Sequence, residues 1–72
     1  MVDVEILWCG NRMLVARTRD WEWAHRIVEG LIYSCGWEVL GNEGYVNEHH
    51  YYVYDPVAEC DIEVLLSLSL SE

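Results

Sequence analysis

The chain has 72 residues and a formal net charge of −9, because thirteen Asp and Glu stand against four arginines and no lysine. A chain of this length forms one core, so we predict a single compact domain over residues 1–72. Proteins that bind nucleic acid directly depend on basic side chains, and this charge excludes that class. It favours either a surface made for a basic partner or an acidity that serves solubility, as in halophilic proteins.

Hydrophobic residues make up 53% of the chain, which is enough for a folded core without a cofactor. No apolar stretch approaches the roughly 18 residues of a membrane span, and the N-terminus lacks the basic start of a signal peptide. We therefore expect a soluble cytoplasmic protein, in the host cytoplasm if a phage encodes it. Cys9, Cys35 and Cys60 are odd in number and widely spaced, which predicts reduced thiols.

The first predicted element is a strand over residues 2–8, where apolar and polar side chains alternate. Gly10-Asn11 follows and tolerates positive φ, which predicts a tight turn. A second strand resumes at Met13, in a register that places Trp8 opposite Met13. The chain therefore begins with a β-hairpin that has one buried face and one acidic face.

The next segment changes to a helical period. Thr18 or Asp20 can cap the N-terminus, and Gly36 can end the helix in a left-handed conformation. The spacing predicts a helix over roughly residues 19–35. Its apolar stripe consists of Trp21, Ala24, Val28, Leu31, Ile32 and Cys35.

Three more strands are predicted after the helix. Residues 37–40 form a short strand, 41–44 a turn, and 45–54 a long strand that Asp55-Pro56 ends. Alternation over residues 62–70 predicts a final strand. This strand carries little charge, so we expect it inside the sheet or paired with another copy of the chain.

The order ββαβββ predicts an α+β fold, a two-layer sandwich with one helix packed on a mainly antiparallel sheet. In such a fold the helix covers one face of the sheet. The other face is left open to solvent or to a partner.

Candidate catalytic and metal-binding groups give weak signals. His49 and His50 are adjacent on a predicted strand, so their side chains point to opposite faces and cannot chelate one ion. His25 lies at the margin of the helical stripe and is interpreted as a core-edge histidine. No nucleophile–base set, glycine-rich phosphate loop or calcium loop is present. We therefore expect no enzyme, no metal and no cofactor, although a regulator that binds metal through His49 or His50 and a cysteine remains open.

Carboxylates give the strongest signal for a binding surface. Acids two residues apart on a strand project from one face at about 6.8 Å, close to the spacing of phosphates in nucleic acid. The predicted partner-binding surface, here called the acidic patch, consists of Asp3, Glu5, Glu38, Glu43, Glu48, Asp61 and Glu63. Exposed Tyr and Trp would add contact area for a partner. The hypothesis requires that these carboxylates form one outward region and are not paired with arginines.

We expect a non-enzymatic binding protein that docks on a basic protein surface. The expected target is a nucleic-acid-binding protein or effector complex, inhibited by occlusion or nucleic-acid mimicry. In size, charge and predicted layout the chain resembles the small acidic proteins that phages use against host nucleic-acid machinery, among them anti-CRISPR proteins and uracil-DNA glycosylase inhibitors. This resemblance is one of physical type and carries over no residue. The alternative is a small homodimeric structural or assembly protein whose acidity only serves solubility.

Overall fold

A computed structural model describes residues 1–69 and confirms the predicted element order and α+β class. The five strands form one antiparallel sheet in the order β2-β1-β5-β4-β3, and the helix packs on one of its faces. Within residues 1–69, no helix is both long enough and apolar enough to span a membrane. The elements are β1 (Val2–Trp8), β2 (Asn11–Thr18), α1 (Trp21–Cys35), β3 (Glu38–Gly44), β4 (Glu48–Asp55) and β5 (Cys60–Leu68).

The final strand, β5, occupies the centre of the sheet between β1 and β4, which is one of the two placements expected for it. It starts at Cys60, two residues before the predicted start, and ends at Leu68. The predicted last residue, Leu70, lies outside the described residues. Alternate side chains of β5 point to the helix and are at most 9% exposed: Ile62, Val64 and Leu66.

The helix begins at Trp21, two residues later than predicted, because Asp20 is the residue that caps it. The Asp20 carboxylate accepts a hydrogen bond from the backbone N–H of Trp23 at 2.9 Å, which satisfies one of the free donors of the first turn. The helix ends at Cys35, before Gly36 with φ 69°. Cys35 is exposed, so its predicted place on the buried stripe is wrong.

The helix carries the chain from β2, at one edge of the sheet, to β3 at the opposite edge. It therefore crosses one face of the sheet and covers it. Ala24 and Val28 are fully buried in this layer, and no polar or charged side chain is buried within residues 1–69. The sheet contributes most of the core, namely Val2, Val4, Ile6, Val53, Ile62, Val64 and Leu66.

The first hairpin turns one residue earlier than predicted. Cys9 and Gly10 both have positive φ, 48° and 79°, which is the backbone of a two-residue hairpin loop. Trp8 therefore lies opposite Asn11, and the predicted pairing of Trp8 with Met13 is wrong.

The second hairpin turns later than predicted, because the segment 41–44 belongs to β3 and the loop is 45–47. The backbone N–H of Tyr45 donates to the carbonyl of Glu48 at 2.7 Å and closes this loop. Gly44 serves a close approach in the strand, since a Cβ there would lie 3.1 Å from Nδ1 of His49. Gly41 and Gly44 therefore do not mark the turn of this hairpin.

We expect Leu66→Ala to lower the free energy of unfolding by about 2–5 kcal/mol, because Leu66 is fully buried and a core relaxes only partly around a new cavity. Urea denaturation measures this loss. Val46→Ala is the control, since Val46 is 93% exposed, and it should change stability by less than about 0.5 kcal/mol. If Leu66→Ala does not fold, Leu66→Met should fold with a loss below about 1.5 kcal/mol. Equal losses for Leu66→Ala and Val46→Ala would contradict the described core.

Candidate functional site

The sheet face opposite the helix, here called the open face, carries all seven residues of the acidic patch. Residues directly opposite each other on antiparallel strands point to the same side of the sheet. The register arranges the open face in four cross-strand rows: Arg17-Asp3-Ser67-Glu48, Leu14-Glu5-Leu65-His50-Glu43, Arg12-Leu7-Glu63-Tyr52-Gly41 and Asp61-Tyr54-Glu38. The structure therefore brings the predicted residues onto one surface.

A β-bulge in the edge strand β3 is needed for this arrangement. Glu38 and Glu43 are five residues apart, so strict alternation would send their side chains to opposite faces. The register shifts between Val39 and Gly41, which leaves Leu40 as the extra residue. Both glutamates consequently point to the open face.

The other edge strand, β2, contains a second bulge with the same effect on two arginines. The register shifts so that Val4 pairs with Ala16 and Glu5 pairs with Leu14, which leaves Val15 as the extra residue. Arg12 and Arg17, also five residues apart, both reach the open face as a result. The sequence pattern alone could not show this, since it gave no sign of the bulge.

Two residues of the acidic patch are paired with these arginines. Arg17 Nε donates to Asp3 at 2.7 Å. Arg12 binds both oxygens of Glu5, with Nη2 at 2.8 Å and Nε at 3.1 Å. The hydrogen bonds to Asp3 and Glu5 raise the pKa of Arg17 and of Arg12, respectively. The hypothesis required carboxylates that are not paired with arginines, and Asp3 and Glu5 therefore do not meet it.

The other five carboxylates of the patch have no arginine partner among the described residues. They lie on the three adjacent strands at one side of the sheet, and this set is called the β3–β5 acidic region. It consists of Glu38, Glu43, Glu48, Asp61 and Glu63. The open face is thus divided into a neutralised half on β1 and β2 and an acidic half on β3, β4 and β5.

His50 lies within the β3–β5 acidic region and connects two of its carboxylates. Its Nδ1 contacts Glu63 Oε2, and its Nε2 lies 2.9 Å from Glu48 Oε1. Both ring nitrogens can donate only when the imidazole is protonated. The hydrogen bonds to Glu63 and then Glu48 raise the pKa of His50, although partial burial opposes them. His50 therefore favours its cationic form and offsets part of the local negative charge.

Tyrosines of β4 and of the preceding loop are fixed on the same surface. The hydroxyls of Tyr45 and Tyr52 donate to the same oxygen of Glu43, at 3.0 and 3.1 Å. The Tyr45 ring meets His50 edge-on at 5.6 Å, and the Tyr52 ring lies nearly parallel to His50 at 6.3 Å. The hydrogen bond to Glu43 raises the pKa of Tyr45, while burial is the main cause that raises the pKa of Tyr52. The sequence predicted exposed tyrosines, but it did not indicate that the rings of Tyr45, His50 and Tyr52 form one group.

The neighbouring histidine, His49, points to the helix side of the sheet, so the prediction that His49 and His50 point to opposite faces is confirmed. Its ring lies 4.7 Å from that of His25, and its buried Nε2 has no hydrogen-bond partner within residues 1–69. Burial is the main cause that lowers the pKa of His49, followed by the charges of His25 and His50. His25 is half-buried and contacts the Tyr51 hydroxyl, in agreement with a core-edge histidine.

The remaining candidate groups are metal ligands and cysteine thiols. Within the described chain, no group of three or more His, Cys, Asp or Glu could hold a metal ion. The three cysteines are free thiols: Cys9 and Cys35 are exposed and Cys60 is half-buried. Burial is the main cause that raises the pKa of Cys60, which disfavours a reactive thiolate.

Comparison with known proteins finds no match: no family model, no curated protein and no solved structure corresponds to this chain. Carboxylates, a histidine and tyrosine rings on an uncovered sheet face can bind cationic groups through charge-assisted hydrogen bonds and ring contacts.

We expect the pKa values of the adjacent histidines to shift in opposite directions: the pKa of His50 should lie above the ordinary value of 6.5, and that of His49 below it. The NMR signals of the imidazole carbons measure both values. Glu63→Gln should lower the pKa of His50, because the carboxylate that stabilises its cation is removed. Glu38→Gln is the control, since no described hydrogen bond joins Glu38 to His50.

The raised pKa of His50 also sets the sign of a stability effect. The contribution of protonated His50 to folding stability is present in full below the unfolded-state pKa of 6.5. It is lost as the pH rises through the higher pKa of the folded state. His50→Gln should therefore destabilise the protein more below pH 6.5 than in alkaline solution. A loss of stability independent of pH would contradict the role given to the two glutamates.

Proposed function

We propose that the protein is a non-enzymatic acidic binding protein that docks through its open face on a positively charged protein surface. One observation carries this proposal: the β3–β5 acidic region gathers five carboxylates on an uncovered sheet face without an arginine partner among residues 1–69. Among residues 1–69, His50 is the one basic side chain paired with carboxylates of this region, namely Glu48 and Glu63. The uncompensated charge would attract a basic surface.

The spacing of these carboxylates suits a surface that binds nucleic acid. Neighbouring strands lie about 4.8 Å apart and alternate residues about 6.8 Å apart, so the sheet places the backbone positions of these carboxylates at regular spacings. A protein that binds nucleic acid presents arginines and lysines for a comparable density of phosphates. Docking on such a site of a nucleic-acid-binding protein or effector complex would inhibit it by occlusion or mimicry, in keeping with the resemblance in physical type to small acidic phage proteins.

The tyrosines would supply contact area beside the charge. Tyr45 is 60% exposed, and its hydroxyl is already oriented by Glu43. Tyrosine is enriched among interface residues that contribute most of the binding free energy. The carboxylates would then set the rate and orientation of approach, and the rings would contribute affinity.

The asymmetry of the open face would orient a partner. Arg12 and Arg17 neutralise Glu5 and Asp3 on the β1–β2 half. A basic partner would therefore approach over β3, β4 and β5. This narrows the expected docking surface from the whole acidic patch to the β3–β5 acidic region.

A second candidate is the homodimeric assembly protein. Both edge strands expose apolar side chains, with Met13 and Leu14 of β2 at 48% exposed, Val39 at 51% and Leu40 at 60%. Edge strands also offer unpaired backbone groups for pairing with another copy. Sedimentation equilibrium separates the two functions, because a tight dimer that covers the open face would exclude that face as a docking site.

We expect the double variant Glu38→Lys/Glu48→Lys to weaken binding to a basic partner by about tenfold at low salt and to flatten its salt dependence. The partner is first captured from a lysate at low salt, eluted at high salt, identified by mass spectrometry and purified. Its affinity for each variant is then measured by calorimetry at several salt concentrations.

The matched control is Glu29→Lys/Glu59→Lys, which makes the same change in net charge on the helix and on the β4–β5 turn. This control should retain most of the affinity. Equal losses in the two double variants would show that only net charge matters and would overturn the open face as the docking site.

A further inference from the structure

We propose that a groove at one end of the open face receives an arginine side chain of the partner, with Asp61 and Glu63 accepting hydrogen bonds from its guanidinium group. This inference rests on the proposed function and names the anchor point of the docking surface.

The groove has a volume of about 620 Å³ and crosses the sheet from the turn of the β1–β2 hairpin to the bulge of β3. Leu7 and Tyr52 lie beside Glu63 in one cross-strand row, and Leu40 closes the far side. Leu40 is the bulged residue of the edge strand, is 60% exposed and lines the groove. The groove therefore combines apolar walls with an aromatic ring, which suits the methylene stem of a long cationic side chain.

Two carboxylates of β5 line the same groove. Asp61 is exposed and makes no hydrogen bond within the described residues, so both of its oxygens can accept. Among the described residues, Glu63 is hydrogen-bonded through Oε2 alone, to His50, so its Oε1 can accept a further hydrogen bond. Because they are two residues apart on one strand, both carboxylates face the open side. The groove therefore carries the unpaired carboxylate of Asp61 and a Glu63 carboxylate that His50 contacts through one oxygen.

Arg12 also borders the groove but does not fill this role. Its guanidinium is committed to Glu5, where it binds both carboxylate oxygens. The pair demonstrates on this same face the fork geometry that a guanidinium and carboxylates adopt. An incoming arginine would make the equivalent contacts with Asp61 and Glu63.

The lining favours arginine over lysine for three reasons. A guanidinium is planar and offers five donors, which suits two carboxylates and a neighbouring ring. It is more weakly hydrated than an ammonium group, so it enters a partly apolar groove at lower cost. It also stacks on aromatic rings such as that of Tyr52, whose hydroxyl is held by Glu43.

The probes are two eight-residue peptides, one alternating glycine with arginine and one alternating glycine with lysine, titrated at low salt by calorimetry and by NMR. We expect the arginine peptide to bind about fivefold more tightly than the lysine peptide. Amide shifts should concentrate at the groove, including Gly10, Leu40 and Asp61. Asp61→Asn should weaken binding of the arginine peptide about three- to fivefold.

Two further variants make the result specific. Glu29→Gln on the helix removes the same charge outside the groove and should change the affinity less than twofold, by about the amount expected from long-range screened charge. Leu40→Ala removes an apolar side chain from the groove lining and should reduce the preference for arginine. Because Leu40 is exposed, this variant should still fold.

Equal affinity for the two peptides, shifts spread over the whole open face, or equal effects of Asp61→Asn and Glu29→Gln would overturn the arginine groove. Absence of binding by both peptides would also overturn it. None of these results bears on the wider docking surface, which is decided separately by Glu38→Lys/Glu48→Lys against the captured partner.

Discussion

Strand β5 lies at the centre of the sheet, and the alternation of its side chains governs both the core and the open face. It pairs with β1 on one side and with β4 on the other, so its alternation is imposed on both neighbours. One side of this strand gives the core Val64 and Leu66, while the other gives the open face Asp61 and Glu63. A slip by one residue would bury the carboxylates and expose the core. The hydrophobic effect that fixes the core therefore also fixes where the charges point.

Bulges in both edge strands then decide the charge pattern of the open face. The one in β3 adds a glutamate to that face, and the one in β2 adds an arginine. The two changes have opposite electrostatic consequences. Asp3 and Glu5 are neutralised by their arginines, whereas the β3–β5 acidic region keeps its charge. A small sheet thus acquires an acidic half without a long run of acids in its sequence.

The two adjacent histidines show how strongly the sheet separates its faces. His49 contacts His25 on the helix side and loses affinity for protons through burial. His50 contacts Glu48 and Glu63 on the open face and gains affinity for protons. Their side chains differ only in the direction in which the strand points them. The same residue type consequently serves packing in one place and electrostatics in the other.

The fold class, the helix with its ending at Gly36 and the acidity of the surface could be predicted from the sequence. Periodicity and charge are local properties, so they can be taken from residues along the chain. The positions of the hairpin loops, the two bulges that bring Glu38 and Glu43 to one face and Arg12 and Arg17 to the same face, and the ion pairs of Asp3 and Glu5 could not be predicted in this way. These depend on register between strands, where small free-energy differences among turns and cross-strand contacts choose one alignment. For that reason composition predicted an acidic surface, but register decided which half of it stayed charged.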